Sequence, residues 1–126
     1  IRKFHAAKIA CKPTVEVWGT GAPMREFLHV DDLAKACLFL MENYNEKELV
    51  NIGTGKDVTI NELAQLVKKI IGFNGNLVWD SSKPDGTPRK LLDVSKAHGL
   101  GWKHKIELEE GIKMVYQEVQ HSEVLV

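Results

Sequence analysis

Residues 15–34 read VEVWGTGAPMREFLHVDDLA. Val15–Trp18 alternates apolar and polar side chains, the pattern of a short strand. Gly19, Gly21 and Pro23 then break the chain into a loop. Arg25–Val30 is extended again. Asp31 or Asp32 is placed to cap a helix that runs to about Tyr44, with Leu33, Ala36, Cys37, Leu40 and Met41 at helical spacing. Strand, loop, extended segment and helix within one stretch predict an α/β fold of helices with a small sheet. The glycine turn runs into a strand, not a helix, and no third glycine follows at the required spacing. A dinucleotide fingerprint is therefore absent.

The flanking sequence continues the alternation. Residues 2–11 read as a helix that Pro13 stops. Leu49–Gly53 reads as a short strand. Thr59 and Glu62 form a capping box before a helix whose apolar stripe is Ile60, Leu63, Ala64, Val67, Ile70 and Ile71, and Gly72 ends it. Asn76–Asp80 is another strand, residues 81–89 a polar loop, Lys90–Asp93 a short extended piece and Ser95–His98 a brief helix. The last helix spans about Glu107 to Gln120, with Leu108, Ile112, Val115, Tyr116 and Val119 inward and acids in its first turn, where the helix dipole favours them. Residues 1–120 form one domain, and 121–126 read as a frayed tail.

The 126 residues carry 17 basic and 17 acidic side chains, so the formal net charge is zero. This balance argues against a nucleic-acid partner. With 44% hydrophobic residues the chain can bury a core. No apolar run approaches the ~20 residues of a membrane span, and the start of the chain lacks a signal-peptide pattern, so the expected location is cytoplasmic. Cys11 and Cys37 make no metal motif or disulfide framework and read as small apolar fillers on helices. The five histidines show no ligand spacing, so no metal site is expected. His29 reads as structural.

Charge is uneven along the chain. Residues 1–12 hold four basic groups and no acid, and residues 83–105 hold six against Asp85 and Asp93. These islands are either solvated faces or two halves of an anion site. Arg25, beside a flexible loop, suits phosphate through its planar fork, or else pairs with Glu26 or Asp31. Trp18, at a strand end, either stacks on a base or sugar ring or packs in the core, the commoner case. Lys83, Arg89 and Lys90 flank a loop stiffened by Pro84 and Pro88, which is either a lid over an anion or an ordinary crossover. Adjacent Asp31 and Asp32 do not face one another and read as helix caps. No serine or cysteine has a recognisable base, so no catalytic centre is expected.

Three motifs go further. Residues 17–34, the Asn51–Gly55 turn with Thr59-Ile60-x-Glu62-Leu63-Ala64, and Ser82–Asp93 (SKPDGTPRKLLD) together resemble the extended short-chain dehydrogenases/reductases that act on nucleotide sugars. The first and third are similar, more narrowly, to the GDP-L-fucose synthase family. The resemblance runs from Ile1 to about Gln120 and covers only the C-terminal, substrate-binding part of that family's chain.

The resemblance implies an NADPH-dependent enzyme that converts GDP-4-keto-6-deoxy-D-mannose to GDP-L-fucose by 3,5-epimerisation and 4-reduction. The cofactor and catalytic residues would lie in an N-terminal Rossmann domain that precedes this chain. Catalytic and cofactor-binding residues are therefore expected to be absent here, and the chain alone inactive. The partners implied are a GDP-sugar, the Rossmann domain and, for the full-length protein, a second copy in a homodimer. The substrate contacts carried over are Lys3, Trp18, Arg25 and Asn76, with Lys90 as a further candidate for the diphosphate. The alternatives are the same domain of an enzyme acting on a UDP- or dTDP-sugar, and a stand-alone nucleotide-sugar binding module.

Overall fold

The capping box closes as expected. The Thr59 hydroxyl accepts the Glu62 N–H at 3.0 Å, and the Glu62 carboxylate accepts the Thr59 N–H at 2.8 Å. Helix α3 (Ile60–Ile71) starts there and ends at Gly72, whose φ of 71° needs a residue without Cβ strain. The computed structural model describes residues 1–120; the tail at 121–126 lies outside the described residues. Helices α1 (Arg2–Ile9) and α5 (Leu108–Val119) flank α3. Ala64, Val67 and Ile71 of α3 pack with Phe4, Ala7, Val15, Phe73, Ile112 and Tyr116 in the larger core. Against this core lies a parallel ribbon of β1 (Thr14–Trp18) and β4 (Asn76–Asp80).

A second, three-stranded sheet holds β2 (Met24–Glu26) between β3 (Asp57–Thr59), antiparallel, and β5 (Arg89–Lys90), parallel. Helix α2 (Val30–Asn43) and the short α4 (Ser95–Gly99) meet beyond it. There Ala36, Ala97 and Trp102 form a smaller core with Leu28, Phe39, Val50 and Ile52. Among the described residues no helix is long and apolar enough to cross a membrane.

Several expectations are corrected. The cap of α2 is His29, whose Nδ1 accepts the Asp31 N–H at 3.2 Å; neither Asp31 nor Asp32 caps. Asp32 is 2% exposed and accepts the backbone N–H groups of Lys105 and Ile106, both at 2.8 Å. This long-range tie outcompetes local capping because it satisfies two N–H groups at once. Ladder pairing in the first extended segment stops at Glu26, and Phe27–His29 lead into the helix. The 90–93 segment pairs only at Arg89–Lys90. Leu49–Gly53 is extended but pairs with no strand among the described residues; β2 takes Asp57–Thr59 as its partner instead.

Cys11 and Cys37 are exposed and are not core fillers. Helix α1 ends at Ile9, and Cys11 stands beyond it with φ 48°. The N–H of Cys11 reaches the Lys8 carbonyl and that of Lys12 the Ala7 carbonyl, a Schellman ending with cysteine at the position glycine favours. Helix α2 is apolar on two sides. Ala36 and Phe39 face the small core, while Val30, Leu33, Cys37 and Met41 form an outer stripe at i, i+3, i+7 and i+11. Val30 is 66% and Met41 80% exposed. The sequence periodicity placed Leu33, Cys37 and Met41 of this stripe with the helix's apolar positions, and among the described residues nothing covers them.

Burial alone would push the Asp32 carboxyl pKa up. The Ile106 and Lys105 N–H groups, with the charges of Lys35 and His104, outweigh that and hold it below its ordinary value. A depressed carboxyl stabilises the fold above its unfolded pKa of about 3.9, and the gain is lost as pH falls through the lower folded value. Asp32→Ala is expected to cost about 2–4 kcal/mol at pH 7, from two stranded N–H groups and the lost charge. The deficit should shrink below pH 3. Urea unfolding at pH 7 and pH 3 checks both.

Candidate anion-binding site

The site is built on β2. Glu26 turns its carboxylate into two neighbouring loops. Oε1 accepts the N–H groups of Thr54 and of Gly55, the latter at 2.6 Å, and Oε2 accepts the Leu92 N–H at 3.1 Å. Gly53 makes room: a Cβ there would collide with the Glu26 carboxylate. One buried-edge carboxylate thus fixes the 53–55 turn and the chain leaving β5 to the same strand. Glu26 is consequently unavailable to Arg25, its neighbour in sequence.

Arg25 and Lys90 are register partners across the parallel β2–β5 pair. Strands in a sheet lie roughly 4.8 Å apart, so like charges placed opposite one another repel. Among the described residues neither has a carboxylate within ion-pair reach. Arg25 donates to the Met24 carbonyl at 2.6 Å, which orients its guanidinium and leaves the charge unbalanced. Both residues line a cleft of about 540 Å³ together with Glu26, Gly53 and the apolar side chains of Leu28, Ile52, Leu91 and Leu92. Two uncompensated cations on the rim of an apolar-walled cleft suit a multiply charged anion attached to a less polar body. Arg89 plays no part: its guanidinium is locked in two hydrogen bonds to Asp57, at 2.6 and 3.1 Å.

Trp18 is 62% exposed, contrary to the core expectation. The alternation that makes β1 explains it: Val15 and Val17 turn inward, so Thr14, Glu16 and Trp18 turn outward. Two ammonium groups attend its ring, Lys3 Nζ at 5.2 Å and Lys83 Nζ at 5.8 Å from the centroid. Lys3 also donates to the Glu16 carbonyl at 3.3 Å. Asn76 is elsewhere. It opens β4 opposite Thr14, whereas Trp18 pairs with Asp80 at the other end of the ribbon. Four residues of strand separate those ends by about 13 Å. The structure therefore gathers Lys3 with Trp18 and Arg25 with Lys90, and leaves Asn76 apart from Trp18. Sequence reasoning missed Glu26, Thr20 and Asp85; Asp85 accepts the Thr20 N–H at 2.7 Å and its hydroxyl at 2.6 Å. No local pattern marks contacts between residues so far apart in the chain.

The 19–21 turn is not the phosphate-binding turn of a dinucleotide site. It leads into β2, not into a helix N-terminus, and its Thr20 N–H is taken by Asp85. Residues 1–53 match the model of the NAD dependent epimerase/dehydratase family. The chain is 58% identical over 116 residues to GDP-L-fucose synthase 1 of Arabidopsis thaliana, covering 92% of this chain and 36% of that protein. It is 52% identical to GDP-L-fucose synthase of Escherichia coli, covering 93% of this chain and 39% of that one. These matches, at 52–58% identity over nearly the whole of this chain, are to proteins of the extended short-chain dehydrogenase/reductase type. The chain spans little more than a third of these curated relatives. Its fold is also that of a GDP-mannoheptose C4 reductase from Campylobacter jejuni solved with NADP bound, at a TM-score of 0.82 and 48% identity, covering 92% of this chain and 41% of that one. The chain thus corresponds to the C-terminal portion of these proteins.

Gly53→Ala should expel the Glu26 carboxylate and strand the N–H groups of Thr54, Gly55 and Leu92, at a cost of about 2–4 kcal/mol. Glu26→Gln keeps one carbonyl acceptor and should cost less. Urea unfolding gives the order, and the amide resonances of Thr54, Gly55 and Leu92 should move in both variants.

Proposed function

We propose that this chain is the substrate-binding portion of an enzyme of the GDP-L-fucose synthase type, which converts GDP-4-keto-6-deoxy-D-mannose to GDP-L-fucose by 3,5-epimerisation and NADPH-dependent reduction at C4. The observation that carries the reading is the cross-strand pair of unbalanced cations, Arg25 and Lys90, on the rim of an apolar-walled cleft. A nucleotide sugar presents a diphosphate between two less polar rings. The Arg25 fork would hold two diphosphate oxygens, and Lys90 would add a point charge beside it. Leu28, Ile52, Leu91 and Leu92 would exclude water from one ring. Trp18, with Lys3 beside it, offers an exposed ring face on the same loop system. Asn76 would contribute only to the far end of an extended ligand.

The chain's part in the reaction is to bind and orient; it carries no Tyr-x-x-x-Lys or other hydride-transfer pair in its sequence. NADPH and the reacting groups would be held by an N-terminal Rossmann domain of the full-length protein, a homodimer in the cytoplasm. Two features support such a neighbour. The outer stripe of α2 is apolar and exposed, and Leu49, on the unpaired 49–53 segment, is 94% exposed. A second, exposed apolar face on a helix and an exposed leucine both favour cover by a neighbouring surface.

Titration of the chain with GDP-fucose, with UDP-glucose as control, tests the reading. Amide shifts at Trp18, Arg25 and Lys90 confined to the guanine ligand are expected, and equal shifts with UDP-glucose would favour a UDP-sugar enzyme. Arg25→Ala and Lys90→Ala should each weaken GDP-fucose binding roughly tenfold, about one charge-assisted contact. Higher salt should weaken it further, because the contacts are ionic and exposed. The chain alone is expected not to oxidise NADPH in the presence of the keto sugar; turnover in that assay would sink the two-domain reading.

A further inference from the structure

The loop between β4 and β5, residues 81–88, is exposed at every position and buries no side chain. One end is held locally and the other to β2. The Ser82 N–H and hydroxyl donate to Asp80, and the Met24 N–H donates to the Pro88 carbonyl. Its middle has a single long-range tie, the two hydrogen bonds from Thr20 to Asp85, at 2.7 and 2.6 Å. Gly19, at φ 83°, permits the approach, since a Cβ there would collide with the Asp85 carboxylate. The two Thr20 donors hold the Asp85 carboxyl below its usual pKa, so it is ionised throughout the neutral range.

What the tie holds in place is informative. Two residues before Asp85, Lys83 lies over the Trp18 ring beside Lys3. One residue after it, Gly86 faces Arg25: a Cβ there would stand 3.9 Å from Arg25 Nη2. The loop therefore spans the interval between the Trp18 group and the Arg25–Lys90 pair. Asp85 is an acid among these cations, yet its oxygens are taken up by Thr20, and it forms no ion pair among the described residues. Lys83 likewise has no carboxylate partner there.

We propose that Asp85 is a positioning residue that, by latching Thr20, fixes the 81–88 loop between Trp18 and Arg25 and makes Lys83 a further contact for the diphosphate of a nucleotide ligand. The proposal rests on the nucleotide-sugar reading above and assigns that site a fourth cation. Asp85 touches no ligand; it acts through the placement of Lys83.

The test is calorimetric titration of GDP into the chain and its variants. Lys83→Met and Asp85→Ala should each weaken GDP binding roughly fivefold to tenfold, the loss of about one charge-assisted contact. The double variant should bind no more weakly than the weaker single one, because both remove the same contact. Asp85→Asn keeps one acceptor and should recover part of the affinity, which also covers the case in which Asp85→Ala does not fold. A loop that is merely structural would lower the melting temperature without this non-additivity. Wild-type binding that Lys83→Met and Asp85→Asn leave unchanged overturns the proposal and leaves the nucleotide-sugar reading standing. A wild-type chain that does not take up GDP at millimolar concentration overturns both.

Discussion

The Glu26 carboxylate is the point on which the site turns. It belongs to the central strand of a three-stranded sheet only two to three residues long per strand. Ladders that short supply few hydrogen bonds, and a sheet of this size needs further support. Glu26 provides it by accepting backbone N–H groups from the turn after Gly53 and from Leu92. A carboxylate taking several backbone donors forms hydrogen bonds stronger than neutral ones. Because β2 also carries Arg25, and β5 carries Lys90, the same contact fixes the spacing of the two cations.

A second consequence concerns charge. Some cations elsewhere are paired with acids: Arg89 with Asp57, Lys56 with Glu107, Lys69 and Lys113 with Glu109, Lys96 with Glu46 and Glu48. Around the cleft the nearby acids are occupied otherwise, Glu26 by backbone N–H groups and Asp85 by Thr20. They are present to shape the backbone and do not neutralise Arg25, Lys83 or Lys90. A chain of zero net charge thereby keeps a locally positive cleft, which no composition figure reveals.

Much of the frame was legible in the sequence. Helix α3 carried its own start and stop in Thr59, Glu62 and Gly72, and β1 alternated cleanly. Arg25 and Lys90 were recognisable as cations beside a glycine turn and a proline-stiffened loop. Strand β3 was not, since three residues are too few to show a period. Asp32 was misread as a cap because its donors lie 73 and 74 residues away. For Trp18, left between core and ligand stacking, the strand alternation, with Val15 and Val17 inward, already turned it outward. Leu33, Cys37 and Met41 of the outer stripe of α2 were placed among its apolar positions by the same periodicity that correctly found the helix. Period identifies an apolar face without saying which chain covers it.

The segment before the Gly53–Gly55 turn shows what that turn depends on. Residues 49–52 run directly into Gly53, the residue whose missing side chain admits the Glu26 carboxylate. Val50 and Ile52 pack against the small core with Phe39, and Leu49 meets solvent. The backbone of 49–52 forms no hydrogen bond to another backbone group among the described residues. With no ladder before it, the turn is held by the Glu26 carboxylate, and the same carboxylate fixes the chain that leaves β5 behind Lys90.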